Sequence, residues 1–378
     1  MDYRLTEEQK LIVESVRGIT KEKIAPLVEE VDRKAEFPWE VHKILLENGF
    51  IGLCLPQEYG GGGLDLLTFS MVAEELAKGC YSATFWLNDL TIEPLLIGGT
   101  PEQKEKYIPR MARGEIISAI AITEPGAGSD VAGITTRAVL DGDEYVINGS
   151  KCFISLGDSA AIINVLAKTD SSKGARGMSF FLVEAGTPGF SIGKVENKMG
   201  VDALHACELI FQDCRIPRSN LVGKEGDGFK IAMEALDPGR VTVGAQGVGI
   251  AQGALDYAID YAKRRVQFNQ PIAEFQGIQF MLADMATAVE ASRQLVLRAA
   301  YAIDEKEKDR SRLAAMAKYF ASDTCMKVTT DAVQIMGGYG YMKDYPLQRM
   351  MKEAKFLQIY EGTNQIQRIV VARSLLSS

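Results

Sequence analysis

The residues best placed for proton transfer are Glu361-Gly362-Thr363, a carboxylate directly before a Gly-Thr pair. Gln358, Ile359 and Tyr360 lead into the turn, and Asn364-Gln365-Ile366-Gln367-Arg368 read as the start of a helix. Glycine lets a backbone N–H approach a ligand closely, and a threonine at a helix entry caps it. A carboxylate held there can take a proton from a bound substrate. Far upstream, Ala121-Ile122-Thr123-Glu124-Pro125-Gly126-Ala127-Gly128-Ser129-Asp130 offers hydroxyls and free N–H groups in a tight turn. That chemistry suits an anion such as a pyrophosphate.

Three regions must position these groups. Thr6-Glu7-Glu8-Gln9 is a capping-box pattern ahead of Leu11, Ile12, Val16 and Ile19, which it places on one helical face. Helical patterning runs on to about residue 117, interrupted by the loop Gly60–Gly63, which has no following GK[ST] and is no P-loop. From about Ile120, short β-rich runs appear at 138–140, 145–147, 162–166, 179–183 and 209–211. Asp141-Gly142-Asp143 and Asn148-Gly149 supply turn signals, so an antiparallel β region ending near Pro217–Leu221 is expected. Beyond Gly228 the pattern is helical again. Ile278, Leu282, Met285, Val289 and Val296 recur at helical steps, as in a bundle. Gly244-Ala245-Gln246-Gly247-Val248-Gly249 imitates a dinucleotide fingerprint, but no strand precedes it; close helix packing is the better account.

The 378 residues carry 47% hydrophobic and 24% charged side chains and a formal charge of −8. These are ordinary globular proportions, and the negative charge argues against nucleic acid as a partner. Six cysteines form no CxxC pair or metal spacing, so reduced thiols and no metal are expected. Only His42 and His205 are present, which leaves little material for histidine metal sites; His205 reads as a surface or loop residue. No signal peptide and no membrane-spanning run is visible, so a cytoplasmic location without membrane insertion is expected.

The turn at Glu361 and the segment 121–130 together resemble the acyl-CoA dehydrogenase family of flavoenzymes. Ile147-Asn148-Gly149-Ser150-Lys151, Arg265-Val266-Gln267-Phe268 and Gln334-Ile335-Met336-Gly337-Gly338 extend the likeness nearly end to end, in the family's order. The resemblance is to the short- and medium-chain, butyryl-CoA dehydrogenase-like branch. It implies an α+β multidomain fold: an N-terminal helical domain (1–118), a middle antiparallel β-barrel-like domain (119–225) and a C-terminal four-helix bundle (226–378).

Desaturating an acyl thioester breaks two C–H bonds: a base takes the α-proton while a hydride leaves the β-carbon for a cofactor. By resemblance the cofactor is FAD, accepting at N5, and Glu361 is the base. In relatives that carry the base elsewhere it precedes the arginine of an Asp-x-x-Arg motif; here that motif is Asp237-Pro238-Gly239-Arg240, and Gly239 holds no proton. The resemblance assigns Ile120, Ile122, Thr123, Gly128 and Ser129 to the flavin, with Phe153 as the aromatic against it and Ser155 near N5. Phe153 replaces a frequent Trp and loses an indole donor. Arg265, Phe268, Gln276, Gln334, Gly337 and Gly338 match residues reaching a neighbouring subunit's FAD, and Thr363 and Gln365 complete the cofactor set. Ser129, Asp237, Arg240 and Gly362 match substrate contacts, although a structural Asp–Arg ion pair competes for that motif. A homotetramer, a dimer of dimers, and an electron-transferring flavoprotein as electron acceptor are also implied.

Tyr81–Leu90 corresponds to the helix lining the acyl pocket in relatives, and Asp89 is unusual there, since a carboxylate beside an acyl chain is costly unless bonded. Three readings stay open: a local hydrogen bond, recognition of a polar acyl tail, or a second acid–base group for an alicyclic acyl-CoA. Some relatives acting on cyclohexane- or cyclohexene-carboxyl-CoA use an aspartate on this helix, the cyclohexene type lacking the glutamate retained here. A rival of another class, a flavin-dependent monooxygenase on the same fold, has no need of Glu361.

Overall fold

The computed structural model describes residues 5–87 and 91–377; Asp89 lies outside the described residues. The N-terminal region holds α1 (Glu7–Ile19), α2 (Val28–Lys34), α3 (Trp39–Glu47), α4 (Leu66–Gly79), α5 (Glu93–Gly98) and α6 (Pro101–Ala112). The capping box forms as the residue types require: Thr6 Oγ1 accepts from Gln9 N and Gln9 Oε1 from Thr6 N. Val16 is buried, but Leu11 is two-thirds exposed, because it sits off the face that meets α4. The Gly60–Gly63 loop folds back on Gly52–Leu55, and a Cβ on Gly61 would lie 2.1 Å from the Leu55 carbonyl oxygen.

The middle region is a sheet of β1 (Ser118–Ala121), β2 (Arg137–Asp141), β3 (Glu144–Ser155), β4 (Ile162–Lys168), β5 (Met178–Glu184), β6 (Phe190–Val195), β7 (Ala206–Pro217) and β8 (Leu221–Val222). The order is β6-β7-β3-β2-β4-β5-β8, with β1 beside β4. Most pairs are antiparallel, but β1 and β2 both run parallel to β4. The chain between β1 and β4 is long enough for a crossover, which parallel pairing needs. Gly142 turns the β2–β3 hairpin, whereas Asn148-Gly149 makes a register shift inside β3. Asn148 there exchanges bonds with Asp213, accepting from its N–H at 2.9 Å, and the backbone of Gly149 packs against Thr136.

The C-terminal region begins with α7 (Gly228–Arg264). The hairpin β9 (Val266–Gln267) and β10 (Gln270–Pro271) follows, then α8 (Gln276–Asp304), α9 (Arg310–Met336), α10 (Leu347–Leu357) and α11 (Asn364–Leu376). The middle of α7 is buried all round, as in a central helix, against α4, α8 and α9. On α8, Met285, Val289 and Val296 enter the core, with Ile278 and Leu282 partly buried against it. A Cβ on Gly249 would lie 2.2 Å from the Glu74 carbonyl oxygen, so the false fingerprint is the α4–α7 contact. One apolar core thus joins N-terminal and C-terminal helices, and two others cover the sheet's faces. Among the described residues no helix is long and apolar enough to cross a membrane.

Candidate active site

Glu361 and Gly362 form the turn between α10 and α11, with φ of 55° and 86°. A left-handed glutamate costs of order 1–3 kcal/mol unless its surroundings hold it. They do so through the carbonyls. Gln367 Nε2 donates to Glu361 O and Gly362 O, both at 3.0 Å, and Lys318 Nζ donates to Gly362 O at 2.8 Å. Thr363 caps α11, its hydroxyl accepting from Ile366 N at 3.3 Å. Asn364 anchors the far side: its Oδ1 accepts from Lys318 Nζ at 3.0 Å, and its Nδ2 donates to Ser322 Oγ and Asp323 Oδ1, both at 2.8 Å. Gln365 is exposed.

The Glu361 carboxylate itself is not tied down. Its Oε2 is buried without a hydrogen-bond partner. Burial raises its pKa, opposed by the positive charges of Arg240 and Lys318. Arg240 donates through Nη1 to Asp237 Oδ1 at 2.8 Å, Ser311 donates to the other Asp237 oxygen, and Arg240 Nε is also buried and unpartnered. The Asp–Arg pair is therefore real and nearly buried, and its cation acts on Glu361.

Tyr360 fixes the other side of the turn. Its ring stacks on Phe356 at 4.4 Å and tilts against Phe85 at 5.9 Å. Its hydroxyl accepts from Tyr81 at 3.2 Å and donates to Gln246 Oε1 at 2.5 Å; Gln246 Nε2 donates to Thr84 Oγ1 at 2.7 Å. The 3-10 segment Tyr81–Leu87, α7 and the Glu361 turn are thus joined by one buried hydroxyl–amide chain.

The segment that follows β1 is equally well held. Glu124 and Ala127 exchange backbone hydrogen bonds, and Cys152 N donates to Thr123 O at 2.9 Å. Buried Glu124 accepts from Thr135 N at 2.5 Å, Thr135 Oγ1 at 2.8 Å, Thr136 N at 3.0 Å and Lys151 Nζ at 2.8 Å. Lys151 also donates to Ile122 O at 2.9 Å. Burial would raise the Glu124 pKa, yet Lys151 and these donors bring it to about 2. Gly128 and Ser129 stay exposed above this anchor, with Ile120, Ile122 and Thr123 partly buried. A register shift in β3 between Lys151 and Ile154 turns Phe153 outward, at φ 58° and 65% exposed, beside the partly buried Ser155. An exposed aromatic beside open backbone and hydroxyls fits a planar ring carrying a pyrophosphate.

Arg265 caps α7 and lies over the Tyr339 ring at 5.4 Å. With Gly337 and Gly338 it lines a cavity of about 500 Å³. Phe268 is 87% exposed on the β9–β10 hairpin, Gln276 opens α8, and Gln334 is exposed near the end of α9. His205 is more than a surface residue. Its Nδ1 meets Asp158 Oδ2 at 2.6 Å and its Nε2 meets Ala35 O at 2.8 Å, joining the sheet to the end of α2. Two oxygen acceptors favour the doubly protonated ring, and its pKa is raised, the contact with Asp158 outweighing burial.

Sequence reasoning missed Lys318, the Glu124–Lys151 pair and Gln246. Lys318 had one visible signal, a lone cation in the small-residue run Leu313-Ala314-Ala315-Met316-Ala317-Lys318.

A helical–sheet–helical molecule with a buried carboxylate on a C-terminal turn and an open loop after the first strand describes a class of flavin-dependent oxidoreductases. Family models agree. Residues 6–115, 119–214 and 226–376 match the N-terminal, middle and C-terminal domains of acyl-CoA dehydrogenase. A cyclohex-1-ene-1-carbonyl-CoA dehydrogenase of Syntrophus aciditrophicus (strain SB) is 51% identical over 98% of this chain and 91% of its own length. The solved butyryl-CoA dehydrogenase from Megasphaera elsdenii superimposes with a TM-score of 0.96 at 44% identity, covering both chains completely. A chain solved under "Electron transferring flavoprotein of Acidaminococcus fermentans: Towards a mechanism of flavin-based electron bifurcation" gives 0.97 at 49%, again with both chains fully covered. The chain belongs to the acyl-CoA dehydrogenase family and is an FAD-dependent oxidoreductase.

Proposed function

We propose that this chain desaturates an acyl-CoA thioester to the 2-enoyl-CoA, with Glu361 as the base that takes the α-proton. The observation that carries this reading is the Glu361 Oε2 atom, buried and unpartnered on a turn whose backbone carbonyls take three side-chain hydrogen bonds. A buried carboxylate with an open lone pair and a raised pKa is poised as a general base. The thioester carbonyl acidifies the α-carbon, so Glu361 needs only reach and correct protonation. FAD, when bound, supplies the acceptor for the β-hydride at N5.

In this reading Ile120, Ile122, Thr123, Gly128, Ser129, Phe153, Ser155, Thr363 and Gln365 hold the flavin of the same chain. Arg265, Phe268, Gln276, Gln334, Gly337 and Gly338 serve the flavin of a second copy in a dimer of dimers, the arginine cavity and exposed Phe268 being the support. Ser129, Asp237, Arg240 and Gly362 face the CoA thioester, Arg240 from inside through its charge on Glu361. Units at 1–118, 119–225 and 226–378, a cytoplasmic location and an electron-transferring flavoprotein as acceptor complete it; the last draws support from the Acidaminococcus match.

Glu361→Gln keeps shape and removes the base: FAD stays bound and flavin reduction slows about 10²-fold or more. Native-rate reduction by the variant refutes the assignment. A second reading, an alicyclic acyl-CoA with Asp89 as a further acid–base group, is favoured by the Syntrophus relative. Anaerobic bleaching of the flavin by straight, branched and cyclic acyl-CoAs separates the two.

A further inference from the structure

Lys318 is fully buried in α9, and among the described residues its ammonium is paired with no carboxylate. It donates instead to Gly362 O at 2.8 Å and Asn364 Oδ1 at 3.0 Å, one residue and three residues beyond Glu361. A buried cation without an ion pair is expensive, and a positioned neutral donor could satisfy the same two acceptors at lower cost. The charge therefore needs a reason. The charged groups acting on it are Glu361, Arg240 on α7 and Asp323 on its own helix, with Asp323 already engaged by Arg368 of α11, Gln358 and Asn364. Glu361 is the anion whose protonation state changes in the proposed reaction.

We propose that Lys318 is a positioning residue for the base: it fixes the Glu361–Gly362 turn from beneath and supplies the positive field that keeps the Glu361 carboxylate ionised while an acyl chain strips water from it. This rests on the reading of Glu361 as the base. The geometry separates two tasks. The hydrogen bond to Gly362 O holds the left-handed turn, as a neutral donor also could. The charge offsets the desolvation that pushes Glu361 toward its protonated, inactive form. Arg240 contributes the same sign from α7, but its guanidinium is shared with Asp237, whereas Lys318 is undivided. Burial draws the ammonium down to about 7, with Glu361 pulling it back up, so Lys318 carries its charge below about 7.

The test is the pH profile of anaerobic flavin reduction in the FAD-loaded enzyme. Lys318→Gln keeps a donor and removes the charge; its acid limb moves up by about one pH unit, a tenfold loss below the limb, while the alkaline plateau is largely retained. Lys318→Arg keeps the charge and restores the native limb. Calorimetric titration with a CoA thioether, which cannot be oxidised, gives a second readout: the pH at which binding takes up a proton moves by the same amount in Lys318→Gln. A loss of equal size at every pH, or an unmoved limb, overturns the proposal and leaves Lys318 as scaffold. If Glu361→Gln reduces flavin at the native rate, the base assignment itself falls. If it is inactive while the Lys318→Gln limb stays put, only the role of Lys318 falls.

Discussion

Glu124→Gln tests whether a buried ion pair holds the segment assigned to the flavin. The native carboxylate takes four hydrogen bonds within 3.0 Å, and both partners of the pair are almost wholly buried. Holding that carboxyl at about 2 instead of its ordinary 4.5 corresponds to about 3 kcal/mol, at about 1.4 kcal/mol per pH unit. Removing one partner of a buried pair costs about 3–5 kcal/mol, because the other charge is left uncompensated. The two routes agree, so a loss of about 3 kcal/mol is expected in denaturant unfolding. Lys151→Met should cost a similar amount, and Glu124→Gln/Lys151→Met far less than the two together, since no orphan charge remains. Lys151 also holds the Ile122 carbonyl, so both single variants should release FAD at lower temperature than the native enzyme. The folded-state Glu124 pKa is depressed, hence this stabilisation disappears as pH falls from about 4.5 toward about 2; it also fades above about 8, where burial makes Lys151 give up its proton. A Glu124→Gln protein within about 1 kcal/mol of native, or strictly additive variants, would refute the reasoning.

Arg265→Ala should weaken FAD binding by about 1–3 kcal/mol, the range of a charge-assisted hydrogen bond, when retention is measured by flavin fluorescence; an active, FAD-replete monomer in light scattering would contradict a shared site. His205→Gln addresses the link from the sheet to α2. Because the folded pKa is raised above 6.5, the native advantage in melting temperature should be full below about 6.5 and close as pH rises further; a gap that widens with pH sinks the idea.

Local chemistry was readable where a few adjacent residues decide the outcome. Thr6 and Thr363 cap their helices because a hydroxyl three residues before a free N–H is enough. The five β-rich runs became β2, β3, β4, β5 and β7 through alternation and turn residues. What escaped depends on partners distant in sequence. Glu124 and Lys151 stand 27 residues apart, Lys318 reaches a carbonyl 44 residues away, and Gln246 is 114 residues from Tyr360. Apart from the small-residue run before Lys318, nothing local marks such residues as buried. Asn148-Gly149 misled because the same dipeptide serves a turn or a bulge, and only the Asp213 partner on β7 decides between them.

The core shared by α4 and α7 has a consequence for biosynthesis. Leu76 and Ala77 of α4 are buried in the cluster that contains Val248 and Ala251 of α7, and Gly249 docks on the Glu74 carbonyl. On a ribosome, α4 emerges well before its partner helix has been translated. At about 5–20 residues per second the delay is on the order of ten seconds or more. For that interval an apolar helix face lies bare, and the Tyr81–Leu87 segment waits for Gln246 and Tyr360. The nascent chain therefore needs a shield, either its own sheet region folding in between or a chaperone, and expression should depend on translation pace more than native stability alone would require.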